Sequence, residues 1–268
     1  MTSTIVSVEW LYKNQDLPNL IILDASLKEN QAKAITDFDN LRIPKARFFD
    51  LKTAFSDQNN PLPNSLPSPS QFEQEASKLG ISKNSILVVY DNLGIYSSPR
   101  VWWLFKVMGF INIAVLDGGL PQWIKNNYTV EHIPEKEVYT LGDFEVDFQP
   151  ELVKTNNQVG RNILDQKYLV VDARIENRFK GIIKETRAGL QSGHIPMALN
   201  IPFSSVLCET TFLHPEKLTT ILIPDDKPLI IYCGSGVTAC IVMLAYALIG
   251  KHNCAIYDGS WAEWGQEK

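Results

Sequence analysis

The chain has 268 residues, 45% of them hydrophobic and 21% charged, with a formal net charge of −5; that length holds two modest domains or one large one, and the composition is that of an ordinary globular protein. The negative balance, with no basic cluster to oppose it, argues against nucleic acid or an anionic membrane surface as a partner. The longest apolar run, residues 239–249, is too short to span a bilayer, and the N-terminal Met-Thr-Ser-Thr-Ile-Val lacks the charged start and apolar core of a signal peptide, so the expected compartment is the cytosol.

Short apolar runs alternate with helical patterns along the chain. The first run, Leu20-Ile21-Ile22-Leu23, ends on Asp24. Residues 57–70, rich in Pro, Asn and Ser, read as a long surface loop. Residues 86–90 and 114–116 read as strands, and 98–108 as a helix carrying Trp102, Trp103, Phe105 and Val107. The stretch 126–150 is polar, carries Pro134 and Pro150, and reads as a linker. Beyond it the pattern returns: Leu169-Val170-Val171 ends on Asp172, residues 229–232 and 255–257 read as strands, and 237–249 as a helix.

The second half restates the first in order. Arg42-Ile43-Pro44-Lys45-Ala46 answers His194-Ile195-Pro196-Met197-Ala198, Leu87-Val88-Val89-Tyr90-Asp91 answers Leu229-Ile230-Ile231-Tyr232-Cys233, and Leu116-Asp117-Gly118-Gly119 answers Tyr257-Asp258-Gly259-Ser260. Ordered matches at a nearly constant offset mark a duplicated α/β domain, each copy a mostly parallel sheet flanked by helices. The expected organisation is a non-catalytic copy over 1–127, a linker over 128–150 and a catalytic copy over 151–268.

The chemistry concentrates at Cys233-Gly234-Ser235-Gly236-Val237-Thr238, which follows an apolar strand and opens a helix. Glycines let successive backbone amides turn inward, the helix N-terminus adds partial positive charge, and the carboxyl end of a strand is where open α/β sheets place ligands. Such a setting favours a thiolate and can hold a persulfide or another soft anion. Copy one has Asp91 at the matching place and therefore no nucleophile. Cys208, Cys240 and Cys254 are expected to pack; with no C-x-x-C and no close ligand pair, neither a disulfide framework nor a metal or cofactor is expected. A Cys-x5-Arg phosphatase is excluded, because five intervening residues after Cys233 lead to Ala239.

From Leu23-Asp24-Ala25-Ser26 through Tyr96-Ser97-Ser98-Pro99-Arg100-Val101-Trp102-Trp103 to Tyr257-Asp258-Gly259-Ser260-Trp261, the chain resembles the tandem-domain rhodanese family, and within it the 3-mercaptopyruvate sulfurtransferases. The resemblance implies two tandem rhodanese-like domains and a Cys233 that takes sulfane sulfur as a persulfide, releases pyruvate, and passes the sulfur to a thiol such as thioredoxin or glutathione, or to cyanide. It implies that Arg178 and Arg187, spaced as in the family's Arg-Phe-x-Gly-x5-Arg segment, clamp the donor's carboxylate and carbonyl, that Gly234, Gly236, Val237 and Thr238 line the site, and that Ser235 donates a hydrogen bond to the substrate or helps protonate the departing enolate. Thiosulfate-preferring relatives carry basic residues in the second and third loop positions, where this chain has Gly234 and Ser235. The alternatives are a thiosulfate:cyanide sulfurtransferase and a non-catalytic sulfur-carrier or regulatory module.

One departure stands out. Mercaptopyruvate enzymes often place an acidic residue shortly after Phe-Phe-Asp and a histidine before Leu-Pro, as a relay to the loop serine; here those places hold Lys52 or Thr53 and Asn64. A Ser-His-Asp relay is therefore not expected, and His194 is expected to hold a turn.

Overall fold

A computed structural model describes residues 3–28, 38, 40–135 and 137–267. By its internal contacts the chain divides into two units: residues 1–57, 66–148 and 209–212 form the first, and residues 58–65, 149–208 and 213–268 the second.

In the first unit the strands are β1 (Ile5–Val6), β2 (Leu20–Asp24), β3 (Leu41–Arg42), β4 (Arg47–Phe48), β5 (Ile86–Tyr90), β6 (Ile113–Leu116) and β7 (Glu131–His132). The helices are α1 (Val8–Asn14), α2 (Pro69–Lys78), α3 (Ser98–Val107) and α4 (Gly119–Lys125). In the second part of the chain come β8 (Val153–Lys154), β9 (Leu169–Asp172), β10 (Leu199–Asn200), β11 (Leu207–Cys208), β12 (Thr211–Phe212), β13 (Leu229–Tyr232) and β14 (Cys254–Tyr257), with α5 (Asn156–Asp165), α6 (Glu176–Phe179), α7 (Pro215–Ile221), α8 (Ala239–Leu248) and α9 (Ser260–Trp264).

Each unit is built on a five-stranded sheet, ordered β1-β6-β5-β2-β4 in one and β10-β9-β13-β14-β8 in the other. These orders are one topology read from opposite edges, and every pairing within them is parallel. Parallel sheets need cover on both faces, which is why the central strands β5 and β13 are almost continuously apolar and buried. The helix after each central strand is buried around its circumference: every residue of α3 except Lys106 is buried, Ser98 and Arg100 included, as are eight successive residues of the more apolar α8. No helix is long and apolar enough to cross a membrane among the described residues.

The copies share their fastenings as well. Tyr90 Oη accepts from Ile43 N at 3.1 Å, and Tyr232 Oη accepts from Ile195 N at 3.1 Å, so each central strand ends by gripping the Ile-Pro turn of its own copy. In both turns the residue after proline is left-handed, Lys45 at φ 63° and Met197 at φ 65°.

Two expectations from the sequence need correction. Residues 57–70 do not simply run over the surface: Asn64, Ser65 and Pro67 are buried, and residues 58–65 pack with the second unit. Polar side chains bury where they find partners, and Asn64 finds one in the cysteine loop. Residues 126–150 are likewise no free linker. Strand β7 pairs antiparallel with β3, Glu131 and Glu137 hold the buried Arg42, and Phe144 packs among Phe72, Phe105 and Phe110.

Candidate active site

Cys233 leaves the carboxyl end of β13, beside Asp172 at the end of β9, and is 2% exposed. Its backbone is fixed on both sides by the start of α9. Cys233 N donates to Ser260 Oγ at 3.2 Å, Trp261 N donates to Cys233 O at 3.0 Å, and Ala262 N donates to Gly234 O at 3.0 Å. The Ser260 hydroxyl donates in turn to Tyr257 O at 2.9 Å. Ser260 holds φ at 51°, a left-handed conformation that serine rarely adopts. Its counterpart Gly119 in copy one has the same φ of 51°, so the turn asks for glycine in both places and the second copy accepts strain to put a hydroxyl under the cysteine.

Beyond Cys233 the loop turns at Gly236, φ 77°, and enters α8. Val237 is buried and Thr238, half-buried, precedes the first helical residue. Cys240 Sγ donates to Gly236 O at 3.3 Å, and Cys254 is buried in β14, where burial pushes its thiol up to about 12. Cys208 is exposed rather than packed: it is the outward residue of the two-residue strand β11.

The arginines reach this loop from the segment after β9. Arg178 sits on the single-turn helix α6, and a Cβ built on Gly234 would stand 3.3 Å from its Nη2. Glycine at 234 is thus what lets the guanidinium lie against the loop backbone. Arg187 Nη1 donates to Gly234 O at 3.4 Å. The structure therefore brings Arg178 and Arg187 to the same loop residue, next to Cys233.

Behind them lies a buried ladder of alternating charge that the sequence reading did not single out. Arg178 Nε and Nη2 donate to the two oxygens of Glu185 at 3.2 and 2.5 Å. Glu185 Oε1 also accepts from Arg174 Nη1 at 2.8 Å, and Arg174 holds Asp172 through Nε and Nη2. Arg174, Asp172 and Glu185 are all essentially inaccessible, and the Arg174 guanidinium stacks 4.3 Å over the Trp261 ring. A buried charge needs such partners. Three arginines within fourteen residues called for a counter-charge in the sequence, and Glu185 was the signal. His194 lies exposed nearby, its ring stacked 4.0 Å from that of Phe179 and its Nδ1 2.8 Å from Phe179 O, so it braces the end of α6.

Ser235 is 6% exposed and faces Asn64, 8% exposed. Asn64 Nδ2 donates to Ser235 Oγ at 3.0 Å and to Ser235 O at 3.2 Å.

Two α/β units of one topology, each on a parallel sheet and one of them carrying a strand-end cysteine within a glycine turn and flanking arginines, define a duplicated α/β fold with a thiol site, and similarity to known proteins gives its family. A family model for the rhodanese-like domain matches residues 7–126 and 155–267. The chain is 39% identical to thiosulfate/3-mercaptopyruvate sulfurtransferase 1, mitochondrial, of Arabidopsis thaliana, over 98% of this chain and 76% of that protein. It is 35% identical to the 3-mercaptopyruvate sulfurtransferase of Escherichia coli K12, over 98% and 95%. The crystal structure of SseA from Escherichia coli, described as a 3-mercaptopyruvate sulfotransferase, matches with a TM-score of 0.84 at 34% identity, covering 98% of this chain and 100% of that one. The chain belongs to the rhodanese family. Within it, the chain is a tandem-domain sulfurtransferase of the mercaptopyruvate/thiosulfate group.

Proposed function

We propose that the protein moves sulfane sulfur from 3-mercaptopyruvate to a thiol, such as thioredoxin or glutathione, or to cyanide, through a persulfide on Cys233. The Cys233 thiolate attacks the donor's sulfur and forms an S–S bond. The donor's C–S bond breaks, its electron pair passing into the enolate of pyruvate, and the donor's thiol proton ends on the methyl carbon. The persulfide anion then gives its outer sulfur to the acceptor, leaving thiolate on Cys233 and a new persulfide or thiocyanate in solution. Arg178 and Arg187 hold the donor's carboxylate and carbonyl, a task suited to the planar guanidinium fork.

The observation that carries the reading is the matching loop of copy one. There Asp91 folds its carboxylate back into its own loop and accepts from the amides of Leu93, Tyr96, Ser97 and Ser98 at 2.9–3.0 Å and from Ser98 Oγ at 2.6 Å. The carboxylate oxygen is as many bonds from Cβ as the outer sulfur of a cysteine persulfide. Copy one thus fills with its own anion the place that a Cys233 persulfide takes in copy two. The donor preference rests on charge: the loop supplies amides and the neutral hydroxyls of Ser235 and Thr238, a match for a monoanion with a carbonyl rather than for a small dianion such as thiosulfate.

Intact-mass analysis after mixing with 3-mercaptopyruvate tests this. A gain of about 32 Da, one sulfur, is expected on Cys233 and on no other cysteine. Unchanged mass, or sulfur on another cysteine, overturns the assignment, and equal kcat/KM for thiosulfate overturns the donor preference.

A further inference from the structure

Asn64 lies far from Cys233 in sequence, yet its amide reaches the middle of the cysteine loop, and the two atoms it touches fix its orientation. Ser235 O is a bare acceptor, so the group 3.2 Å from it must be the amide nitrogen and not the amide oxygen. The same nitrogen is 3.0 Å from Ser235 Oγ. Each of its two protons therefore has a defined destination. Ser235 Oγ receives a proton on a lone pair, which turns its own O–H toward some other acceptor. A primary amide neither gains nor loses a proton in the working pH range, so this polarity is permanent. Asn64 also holds φ at 59°, in the left-handed region where asparagine is among the few side chains tolerated, and both residues are buried. The backbone is set to bring this amide, and not a titrating group, against the serine.

We propose that Asn64 is a positioning residue that locks the Ser235 hydroxyl as a hydrogen-bond donor to the carbonyl oxygen of the keto-acid donor. This rests on the 3-mercaptopyruvate reading above. When the C–S bond breaks, negative charge develops on that carbonyl oxygen as the enolate forms, and a donor fixed in advance stabilises it without reorganising. Ser235 then serves as a donor and not as a base, since nothing in Asn64 can take its proton.

The assignment predicts damage to one half-reaction only. Sulfur loading from 3-mercaptopyruvate needs the carbonyl contact. Loading from inorganic tetrasulfide, and discharge of the persulfide into cyanide, involve no carbonyl. Two variants keep the left-handed backbone: Asn64→Gly removes the amide, and Asn64→Asp replaces the donating nitrogen by an acceptor that reverses the serine. Rapid-quench intact mass reads loading from each donor, and thiocyanate reads discharge. Loading from 3-mercaptopyruvate is expected to fall about ten-fold in Asn64→Gly and about 100-fold in Asn64→Asp, with tetrasulfide loading and discharge kept within about three-fold. Equal losses in all three steps mean a merely structural role and overturn the proposal, as does wild-type loading from 3-mercaptopyruvate in both variants. A wild-type protein that tetrasulfide loads and 3-mercaptopyruvate does not would overturn the donor reading, and this assignment with it.

Discussion

The loops after β5 and β13 begin from the same frame and end in opposite chemistry. Each follows a tyrosine that grips an Ile-Pro turn, each contains a glycine of positive φ (Gly94 at 101°, Gly236 at 77°), and each has its head carbonyl capped by an amide of the helix after the next strand, Leu120 N of α4 on Asp91 O and Trp261 N of α9 on Cys233 O. In the first unit the head residue brings its own anion and spends the ring of amides on itself, with Asp91 fully buried. In the second the head residue is a thiol, Gly119 has become Ser260 beneath it, and arginines face the loop. The lesson is that one backbone frame serves both copies: the first fills it with the carboxylate of Asp91, and under the proposed function the second fills it with the persulfide on Cys233.

The comparison breaks first at the cysteine. Cys233→Ser should reduce sulfur transfer to background, because the serine hydroxyl is a far weaker nucleophile at neutral pH than a thiol. Cys208→Ser, Cys240→Ser and Cys254→Ser should keep most activity. Serine at 240 can still donate to Gly236 O, and the buried Cys254 thiol stays protonated at any working pH. Steady-state turnover of the four variants decides it, and appreciable activity in Cys233→Ser contradicts the central assignment.

Next comes the plug. Asp91→Ala leaves three successive amides at the N-terminus of α3, together with the Leu93 amide and the Ser98 hydroxyl, without their acceptor in a buried site. A loss of about 3–5 kcal/mol in unfolding free energy is expected, read from denaturant midpoints. Protein that remains folded should still load sulfur on Cys233. A variant of unchanged stability would show that the amides do not depend on the carboxylate.

Why the two loops differ was only half legible in the sequence. The repeat exposed Cys233 against Asp91, and the long apolar strands β5 and β13 announced themselves, because buried parallel strands write continuous apolar runs. Two-residue strands such as β4 and β10 leave no period to read. The cysteine loop's first layer, Gly234 and the arginines, was visible as spacing. Its second layer was legible only in part: Asn64 stood out as the place of a missing relay histidine, Glu185 lies close in sequence to the arginines it bonds but belongs to no motif, and Ser260 reaches Cys233 from 27 residues away. Ser260 was still hinted at, by standing where copy one keeps Gly119.

The arginines sharpen the comparison at the next level. Losing a charge-assisted, two-pronged contact to a carboxylate costs about 2–4 kcal/mol, roughly 30–1000-fold in kcat/KM. Arg178→Ala and Arg187→Ala should each show that loss with 3-mercaptopyruvate while alkylation of the Cys233 thiol stays largely intact. Glu185 keeps Arg174 as its partner when Arg178 is removed, but Asp172 and Glu185 then share one guanidinium, so the folded state of this variant is checked by its denaturant midpoint alongside the kinetics. Near-normal kinetics in both variants would remove the clamp.

The smallest effect concerns donor choice, and it turns on Gly234 and Ser235. The matching positions of copy one are Asn92 and Leu93, so the shared backbone accommodates side chains at both places. At 234 the constraint comes from Arg178, whose Nη2 would lie 3.3 Å from any Cβ. The double change Gly234→Arg with Ser235→Lys therefore does two things at once. It adds cationic side chains close to the nucleophile, where attraction for a dianion is largest. It also displaces the guanidinium that holds a keto-acid carboxylate and removes the Ser235 hydroxyl. The ratio of kcat/KM for thiosulfate to that for 3-mercaptopyruvate should rise about ten-fold or more, the equivalent of one modest charge interaction near a protein surface. Gly234→Ala alone separates the two causes: it nudges Arg178 by a few tenths of an ångström without adding charge, so it should lower 3-mercaptopyruvate use several-fold and leave thiosulfate use unchanged. If the double variant leaves the donor ratio where the wild type has it, loop charge does not set the preference, and the arginines alone must carry it.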